Sequence, residues 1–366
     1  MAAAGRVCNT APMRVFTPLP VAPWSAVAPA AAAAETAGFD ALTTVELGHD
    51  PFAPLAFAAL ATRRVELTPS IAVAFPRSPT VLAAQAWDLA ANSSGRFVLG
   101  LGSQVKGHNE RRFGIPWTAP APRLADYIGA LRAIWRAWET GGRLDYHSAH
   151  YTLTLMTPDF SPEPTGLPMI PVTVAAVGAA MLRMAGRVAD GVRLHPLCSR
   201  RAMERLCLPA LTEGLAQAAG GAGRARGSFD IHGGGFVVTG ADADAVARGM
   251  APVRARIAFY ASTRTYRPIL ALHGLEDLGE RLHALSVAGR WAEMPALITE
   301  EIAALFAVAA PFAALPAAIA ARYGGLADGF DLSLPPDTPP GRARELLAEL
   351  RRIPHVFTGF AAAGAP

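Results

Sequence analysis

The chain of 366 residues is 52% hydrophobic and carries a net charge of +4. This apolar content is enough for a large buried core, and it excludes a globally disordered chain. The small charge, without a basic run or interleaved basic and aromatic residues, argues against nucleic-acid binding.

The first third of the chain alternates between predicted strands and helices. Ser78 followed by Pro79 is a strong helix start, with an N-cap residue before a proline at the first helical position. Gly38 and Gly95 are placed to end the two longer helices. The run "RFVLGLG" (96–102) is almost continuously apolar, which is typical of a parallel strand buried on both faces. The predicted strands are 13–20, 41–46, 63–73 and 96–102, and the predicted helices are 24–38, 54–62 and 78–95.

The alternation resumes after two irregular segments. A polar loop is predicted over 103–122, and an excursion with a hairpin around "HYTLTL" is predicted over 141–168. Between them, large apolar residues recur at helical spacing over 124–138. The remaining predicted strands are 169–176, 190–196, 229–240 and 327–335, and the remaining helical regions are 179–189, 200–218, 241–323 and 340–353. About eight strand–helix units predict a parallel sheet closed into a (β/α)8 TIM barrel, as a single domain over 1–366.

In such a barrel the functional residues gather where the strands end. Strand two runs into three titratable side chains, Glu46, His49 and Asp50. The sequence has no metal-ligand spacing, no phosphate-binding loop and no GxSxG turn, so the small and polar residues at the other strand ends favour a large, flat organic cofactor. The residues at the ends of strands three to six are Ser70, Ile71 and Ala72; Ser103, Gln104, Lys106 and His108; Ala176, Val177 and Gly178; and His195.

Several of these residues also have a purely structural interpretation. Glu46 and His49 suit acid–base chemistry, but a rim carboxylate and a packing histidine have the same appearance in a sequence. Gly178 either opens a phosphate site at the N-terminus of the following helix or only allows close packing. Lys106 is the single lysine of an arginine-rich chain, and its compact charge suits an acidic ligand. His195 either lines the pocket or belongs to the core.

The cysteine content and the apolar segments of the chain indicate the cellular compartment in which it is expected. Cys8, Cys198 and Cys207 are too few for a disulfide scaffold and form no CxxC pair, so a reducing, cytoplasmic setting is expected. The segment 1–16 has no continuous apolar stretch, so no signal peptide is expected. The uncharged segment 302–321 has the length of a membrane span, but its two prolines and many alanines favour a buried helical hairpin over a membrane helix.

Several motifs resemble the luciferase-like monooxygenase superfamily, and the resemblance covers residues 15–352. "SGRF" (94–97) followed by "LGLG" (99–102) is similar to the family's glycine-rich entry into strand four. "PVTVAAVGAAMLRMAGRVADGV" (171–192) is similar to its strand, phosphate loop and helix. The motifs that narrow the resemblance to the coenzyme F420-dependent oxidoreductases include "HDPF" (49–52), "VAFPRSP" (73–79) and "GSQVKGH" (102–108).

The resemblance implies a bacterial-luciferase-like barrel with insertions after strands four and seven. The second insertion is the helical region 241–323, expected to cover the pocket. The cofactor is expected to be F420, or FMN in other branches, with the ring backed by a bulge on strand three that often contains a non-proline cis peptide. The implied cofactor-binding residues are Ser70, Ile71, Ala72, Ser103, Gln104, Ala176, Val177 and Gly178.

The resemblance also suggests roles for individual residues, and this sequence differs from the family pattern at two positions. Glu46 and His49 are the candidate catalytic residues, and no residue is expected to hold a metal. Relatives often have glycine in place of Val177, and the sugar-phosphate dehydrogenase branch places a catalytic acid near Val105, so that branch's substrate is not expected here. The candidate substrate-binding residues are Lys106, His108 and His195.

The predicted function is therefore an oxidoreductase that transfers a hydride between coenzyme F420 and a small organic substrate. An FMN-dependent monooxygenase of the luciferase-like type is the alternative within the family. Two interpretations from other classes stay open: a barrel hydrolase or lyase without a metal, and a cofactor-binding protein without turnover. A small-molecule substrate is the expected partner, and the sequence leaves open whether the chain forms a homodimer.

Overall fold

The computed structural model describes residues 11–360. Cys8 and most of the segment considered for a signal peptide lie outside this range. The described chain forms two compact units. The N-terminal unit comprises residues 16–193 and 209–223, and the C-terminal unit comprises residues 11–15, 194–208 and 224–360.

The strands of the N-terminal unit pair in parallel, as the alternating pattern predicted. Residues 16–18 pair with 41–43, and residues 41–44 pair with 66–69. Further along the chain, 72–73 pair with 101–102, and 99–101 pair with 172–174. Parallel neighbours require a crossover between them, and a helix occupies most of these connections. The strands are Ala41–Thr44, Glu66–Pro69, Ala72–Val73, Leu99–Gly102 and Val172–Ala176, with a hairpin of Tyr146–His147 and Thr152–Leu153.

The helices of this unit begin and end where their local sequence directs. Ser78 Oγ accepts a hydrogen bond from Val81 N at 3.2 Å, so the predicted N-cap is formed. Gly38 ends the first long helix in the left-handed conformation, with φ 103°. The predicted polar loop 103–122 is wrong in part, because it contains a short helix and the start of a long one. The helices are Val27–Ala37, Phe52–Ala61, Pro79–Asn92, Lys106–Arg111, Pro120–Thr140 and Ala179–Val188, with 3-10 turns at Trp24–Ala26, Pro158–Phe160 and Ala219–Gly221.

One buried arginine stands out in the core of the N-terminal unit. Arg193 is 4% exposed and lies on the strand Gly191–Leu194, within the strand predicted over 190–196. Its guanidinium donates to Thr68 Oγ1 at 3.2 Å and to Thr173 Oγ1 at 3.3 Å, and it lies 5.2 Å from the ring centroid of Phe16. Two threonine hydroxyls therefore compensate for part of the desolvation of this charge.

Three secondary-structure elements contain residues of both units. The third of them, predicted as one continuous helix over 200–218, contains a π-helical turn. The elements are the strand Arg14–Pro18, the strand Gly191–Leu194 and the helix Arg200–Ala202 with its π-helical continuation Met203–Cys207 and the segment Leu208–Ala216.

The C-terminal unit corrects two predictions. The single strand predicted over 229–240 is two strands, because Gly233 to Gly235 interrupt it and Gly235 has φ 110°. The helical region 241–323 contains the strand Ala307–Pro311, so a helical hairpin over 302–321 is wrong. This strand pairs in parallel with Phe236–Gly240 over five residues, and that pairing outweighs the helix preference of alanine. Within residues 11–360, no helix combines the length and the apolar character that a membrane crossing requires.

The remaining elements of the C-terminal unit follow the predicted pattern more closely. The strand Gly329–Asp331 pairs in parallel with Asp230–His232, and Ala11–Pro12 pairs with Pro354–His355 in antiparallel fashion. The helices are Ala243–Ala261, Arg267–Ala271, Glu276–Val287, Glu300–Phe306, Leu315–Tyr323 and Pro340–Leu350, with 3-10 segments at Arg226–Ser228, Arg264–Tyr266 and Trp291–Leu297.

Candidate functional site

Glu46, which follows the strand Ala41–Thr44, is held on both carboxylate oxygens. Oε2 accepts a hydrogen bond from Val73 N at 2.6 Å and from Arg77 Nη1 at 2.8 Å. Oε1 accepts from the same Arg77 nitrogen at 3.0 Å, and the Glu46 side chain is only 10% exposed. An ionised carboxylate with these partners ties the end of strand two to the end of strand three.

Arg77 is the residue of this site that the sequence analysis did not select. Besides Glu46, it reaches Asp50 Oδ2 at 3.4 Å. Asp50 Oδ1 accepts from Phe52 N at 2.8 Å and from Ala53 N at 3.1 Å, so Asp50 caps the helix Phe52–Ala61. The available signal was a lone arginine in "FPRSP", directly after strand three.

His49 is not part of this ion-pair network. Its side chain is exposed, and it makes no hydrogen bond to any residue of the described range. The preceding loop is fixed by Arg112, whose Nη2 donates to the carbonyl oxygen of Leu47 at 2.7 Å. His49 is therefore accessible to a ligand that approaches from solvent.

Strand three is interrupted at the predicted cofactor-binding residues. The peptide bond between Ser70 and Ile71 is cis, as the resemblance led us to expect, and Ser70 N donates to Thr44 O at 2.6 Å. Ser70 and Ile71 are half-buried, while Ala72 is buried. The Ile71 side chain lies against Gly102, where an added Cβ would be 2.5 Å from Ile71 Cδ1. Glycine at this position thus leaves the space that Ile71 occupies.

The segment after strand four is shaped by its own backbone contacts. Gln104 has φ 56°, which is uncommon for a residue with a side chain, and its Oε1 accepts from Val105 N at 2.9 Å. The buried Asn109 Nδ2 donates to Ser103 O at 2.9 Å and to Val105 O at 3.1 Å. Ser103 and Gln104 are half-buried at the strand end, in the position predicted for cofactor contacts.

Lys106 and His108 lie on the short helix Lys106–Arg111, and both are exposed. Lys106 Nζ is 3.8 Å from Glu110 Oε1, one turn along the same helix. Exposed ion pairs of this kind contribute little to stability, so Lys106 can exchange Glu110 for an anionic ligand at small cost.

The end of strand five opens into an uncapped helix. Gly178 has φ 79° and ψ 153° and precedes the helix Ala179–Val188. An added Cβ at Gly178 meets no atom within 4 Å, and Gly178, Ala179 and Ala180 are exposed, whereas Ala176 is buried and Val177 half-buried. No side chain of residues 11–360 caps this N-terminus. Its free N–H groups can donate hydrogen bonds to an anion such as a phosphate.

His195 belongs to the C-terminal unit, where it contacts two tyrosines. Its Nδ1 accepts from Leu197 N at 3.0 Å, and its Nε2 is 2.8 Å from Tyr266 Oη. The imidazole stacks on Tyr266 with ring centroids 4.4 Å apart and meets the edge of Tyr260 at 4.5 Å. Burial lowers the pKa of His195 to about 4. His195 is therefore neutral near pH 7 and cannot supply a positive charge there.

The N-terminal unit thus combines three features at its strand ends: half-buried backbone around Ser70 and Ser103, a free helix N-terminus at Gly178, and an exposed imidazole at His49. These features suit recognition of a flat ligand with an anionic tail through main-chain groups. Among residues 11–360, no three His, Cys, Asp or Glu side chains are grouped to hold a metal ion.

Comparison with known proteins places these features in a wider context. The family model described as luciferase-like monooxygenase matches residues 9–330. An uncharacterized protein of Mycobacterium tuberculosis is 45% identical over 82% of this chain and 87% of its own length. A putative coenzyme F420-dependent oxidoreductase of the same organism is 29% identical over 74% of this chain and 80% of its own length.

A solved structure resembles the whole fold. The coenzyme F420-dependent tetrahydromethanopterin reductase of Methanopyrus kandleri matches with a TM-score of 0.74 and 19% identity, over 93% of this chain and 98% of the reductase. A likeness at this identity concerns the fold alone. Together with the family model, it confirms the predicted (β/α)8 barrel of the bacterial-luciferase type.

Proposed function

The chain belongs to the luciferase-like monooxygenase family, and from this membership we propose that it is an oxidoreductase that transfers a hydride between coenzyme F420 and a small organic substrate. The observation that carries the proposal is the relation to a putative F420-dependent oxidoreductase over 74% of the chain. The features at the strand ends of the N-terminal unit support it. F420 has a flat tricyclic ring and an anionic tail, which the half-buried strand ends and the free helix N-terminus suit.

One group of residues would contact the ring of the cofactor, and another would contact its anionic tail. The backbone of Ser70 and Ile71, with the Ile71 side chain packed against Gly102, suits one face of the ring, and Ser103 with Gln104 suits its edge. The N–H groups that follow Gly178 suit a phosphate of the tail. When bound, the deazaflavin supplies the carbon that gives or accepts the hydride, and the protein supplies orientation and proton management.

The two candidate catalytic residues are assigned different roles. Both oxygens of Glu46 are engaged by Val73 and Arg77, so we assign Glu46 to holding strand three in place. His49 is exposed, and histidine is the side chain most often used for proton transfer in enzymes, so it is the better candidate for a proton carrier. Lys106 and His108 are proposed to contact an acidic group of the substrate or of the cofactor tail.

An FMN-dependent monooxygenase is the second candidate, and the description of the matching family model favours it. FMN has the same flat ring shape and one phosphate, so the features described for F420 would also suit it. The two cofactors differ in chemistry, because a flavin has nitrogen where the deazaflavin has the carbon that carries the hydride. Binding, rather than shape, must therefore separate the two candidates.

The deciding experiment is a titration of the purified chain with F420 and, separately, with FMN, followed by quenching of cofactor fluorescence. We expect saturable binding of F420 at micromolar concentrations and FMN binding at least about tenfold weaker, a difference of about 1.4 kcal/mol. Tighter binding of FMN would move the assignment to the monooxygenase. Binding of neither cofactor would leave the hydrolase or lyase interpretation.

The helix N-terminus after Gly178 gives a prediction that separates cofactor binding from stability. Replacing the exposed Ala179 with aspartate should weaken F420 binding by about tenfold, because a carboxylate would repel the phosphate. The free energy of unfolding should stay unchanged or rise by about 0.3–1 kcal/mol, since an acidic residue suits a helix N-terminus.

The matched control is Ala243→Asp, the same change at the first residue of another exposed helix, Ala243–Ala261. This variant should bind F420 as tightly as the unchanged chain. Equal affinity in the two variants would show that the helix after Gly178 does not contact the cofactor.

A further inference from the structure

The C-terminal unit contains a cluster, here called the aromatic cluster, of His195, Tyr260 and Tyr266. All three residues are half-buried. The Tyr260 and Tyr266 rings meet edge to face with centroids 6.1 Å apart, and both contact the imidazole. Flat rings around a polar pair are a common arrangement in sites for small organic ligands.

The hydrogen bonds of His195 fix where its proton lies. Leu197 N donates to Nδ1 at 3.0 Å, so Nδ1 presents its lone pair and carries no hydrogen. Burial lowers the pKa of His195 to about 4, so the ring is neutral near pH 7. A neutral imidazole with an unprotonated Nδ1 has its single N–H at Nε2. The contact of 2.8 Å between Nε2 and Tyr266 Oη therefore runs from the imidazole to the phenol.

Tyr266 is consequently an acceptor in this bond, and its own hydrogen is left for another partner. Within residues 11–360, His195 is the hydrogen-bond partner found for Tyr266 Oη. Burial, with a smaller contribution from Tyr260, raises the pKa of Tyr266, so the phenol keeps its hydrogen at any pH of ordinary use. Tyr260 differs in this respect, because its ring contacts His195 without a hydrogen bond from its hydroxyl.

We propose that the Tyr266 hydroxyl is an oriented hydrogen-bond donor that binds the oxygen of an uncharged carbonyl compound, with His195 as its positioning residue. The ligand is expected to be uncharged because the neutral imidazole and the phenol offer no full charge to pair with a carboxylate or an ammonium group. It is expected to be a ketone or aldehyde because the hydrogen that Tyr266 presents needs an acceptor, and the oxygen of an uncharged carbonyl group supplies one. Identifying this ligand as the substrate rests on the proposed function; the existence of the site does not.

The first test needs no cofactor. Protein labelled with 15N-histidine and 13C-tyrosine is followed by NMR, with Tyr266 and His195 assigned from the Tyr266→Phe and His195→Gln variants. We expect the His195 shifts of the neutral Nε2–H form at pH 7. The site is then titrated with cyclohexanone, and with methylenecyclohexane, which has the same shape but no acceptor oxygen.

We expect cyclohexanone to shift the Tyr266 resonance saturably and methylenecyclohexane to bind roughly 3- to 10-fold more weakly, the effect of one neutral hydrogen bond. Tyr266→Phe should remove that preference, whereas Tyr260→Phe, the matched loss of a hydroxyl in the same cluster, should keep it. An Nδ1–H tautomer of His195, or a Tyr266 resonance that cyclohexanone leaves unmoved, would overturn the proposal.

The role of His195 is tested by a pair of isosteres. Glutamine places its amide nitrogen near the position of Nε2 and can still donate to Tyr266, whereas asparagine matches the position of Nδ1 and cannot. We expect His195→Gln to retain the preference for cyclohexanone and His195→Asn to lose it. Equal behaviour of the two variants would show that His195 does not position Tyr266.

These outcomes are independent of the cofactor titration. A chain that binds cyclohexanone through Tyr266 but binds neither F420 nor FMN would refute the proposed function and keep the carbonyl site. A chain that binds F420 but shows no ketone contact at Tyr266 would keep the proposed function and refute the site.

Discussion

Replacing Glu46 with alanine is expected to lower the free energy of unfolding by roughly 2–4 kcal/mol and to weaken F420 binding by at least about tenfold. The change leaves the Val73 N–H and the Arg77 guanidinium without the carboxylate that both contact. The expected loss is below that of a fully buried pair, because the Arg77 side chain remains 17% exposed. Binding suffers because the freed segment includes Ser70 and Ile71. Chemical denaturation and the F420 titration measure the two effects.

Asp50→Asn is the matched control for this prediction. It removes the charge of the second acidic partner of Arg77, at 3.4 Å and on a half-exposed side chain. The asparagine oxygen can still accept the bonds from Phe52 N and Ala53 N. We therefore expect a loss of at most about 1 kcal/mol and unchanged F420 affinity. If Asp50→Asn and Glu46→Ala behaved alike, the bond from Val73 to Glu46 would not be what holds strand three.

Glu46→Gln separates an anchoring role from proton transfer. The amide oxygen can accept from either Val73 N or Arg77, so most of the stability should be kept. A positioning residue would then also leave most of the turnover, measured as F420 oxidation or reduction with a responsive substrate. If Glu46 carried the proton instead, turnover should fall by about 10²–10⁴-fold while stability and F420 affinity stayed close to those of the unchanged chain.

Among glycine-to-alanine changes in strand four, Gly100→Ala is expected to be the most destabilising. It should lower the free energy of unfolding by about 3 kcal/mol. An added Cβ would lie 1.9 Å from Pro69 O and 3.2 Å from Pro69 C, both of them backbone atoms that cannot rotate away. Relief requires the strand that ends at Pro69 to move, and Ser70 and Ile71 follow directly after it. F420 affinity should therefore fall together with the midpoint of chemical denaturation.

Gly341→Ala is the comparison for this variant. An added Cβ at Gly341 meets nothing within 4 Å, and the residue lies in the first turn of the helix Pro340–Leu350. Alanine should stabilise this position by about 0.4–1 kcal/mol, because it restricts the unfolded chain and favours the helix. A Gly100→Ala variant as stable as Gly341→Ala would mean that strands three and four do not approach each other as described.

Much of the fold was predictable because it depends on short stretches of chain. The N-cap at Ser78, the left-handed end at Gly38 and the buried strand after Arg96 are each determined by a few neighbouring residues. Alternating strands and helices predicted the parallel pairing of the N-terminal unit and the barrel class. The resemblance predicted the cis peptide between Ser70 and Ile71. These signals are local propensity, capping and periodicity, which any short window of sequence contains.

Only the tertiary structure determined which distant residues form hydrogen bonds and ion pairs with each other. The pairing of Glu46 with Arg77 spans 31 positions, and the hydrogen bond between His195 and Tyr266 spans 71, so no short window contains either pair. The strand Ala307–Pro311 was predicted as helix because its alanines favour helix locally, and pairing with Phe236–Gly240 overrides that preference. The sequence by itself therefore determined most elements of the N-terminal unit and which of the predicted site residues follow its strands. Which of those residues are held and which stay open to a ligand depends on contacts between distant segments, and these exist only once the chain has folded.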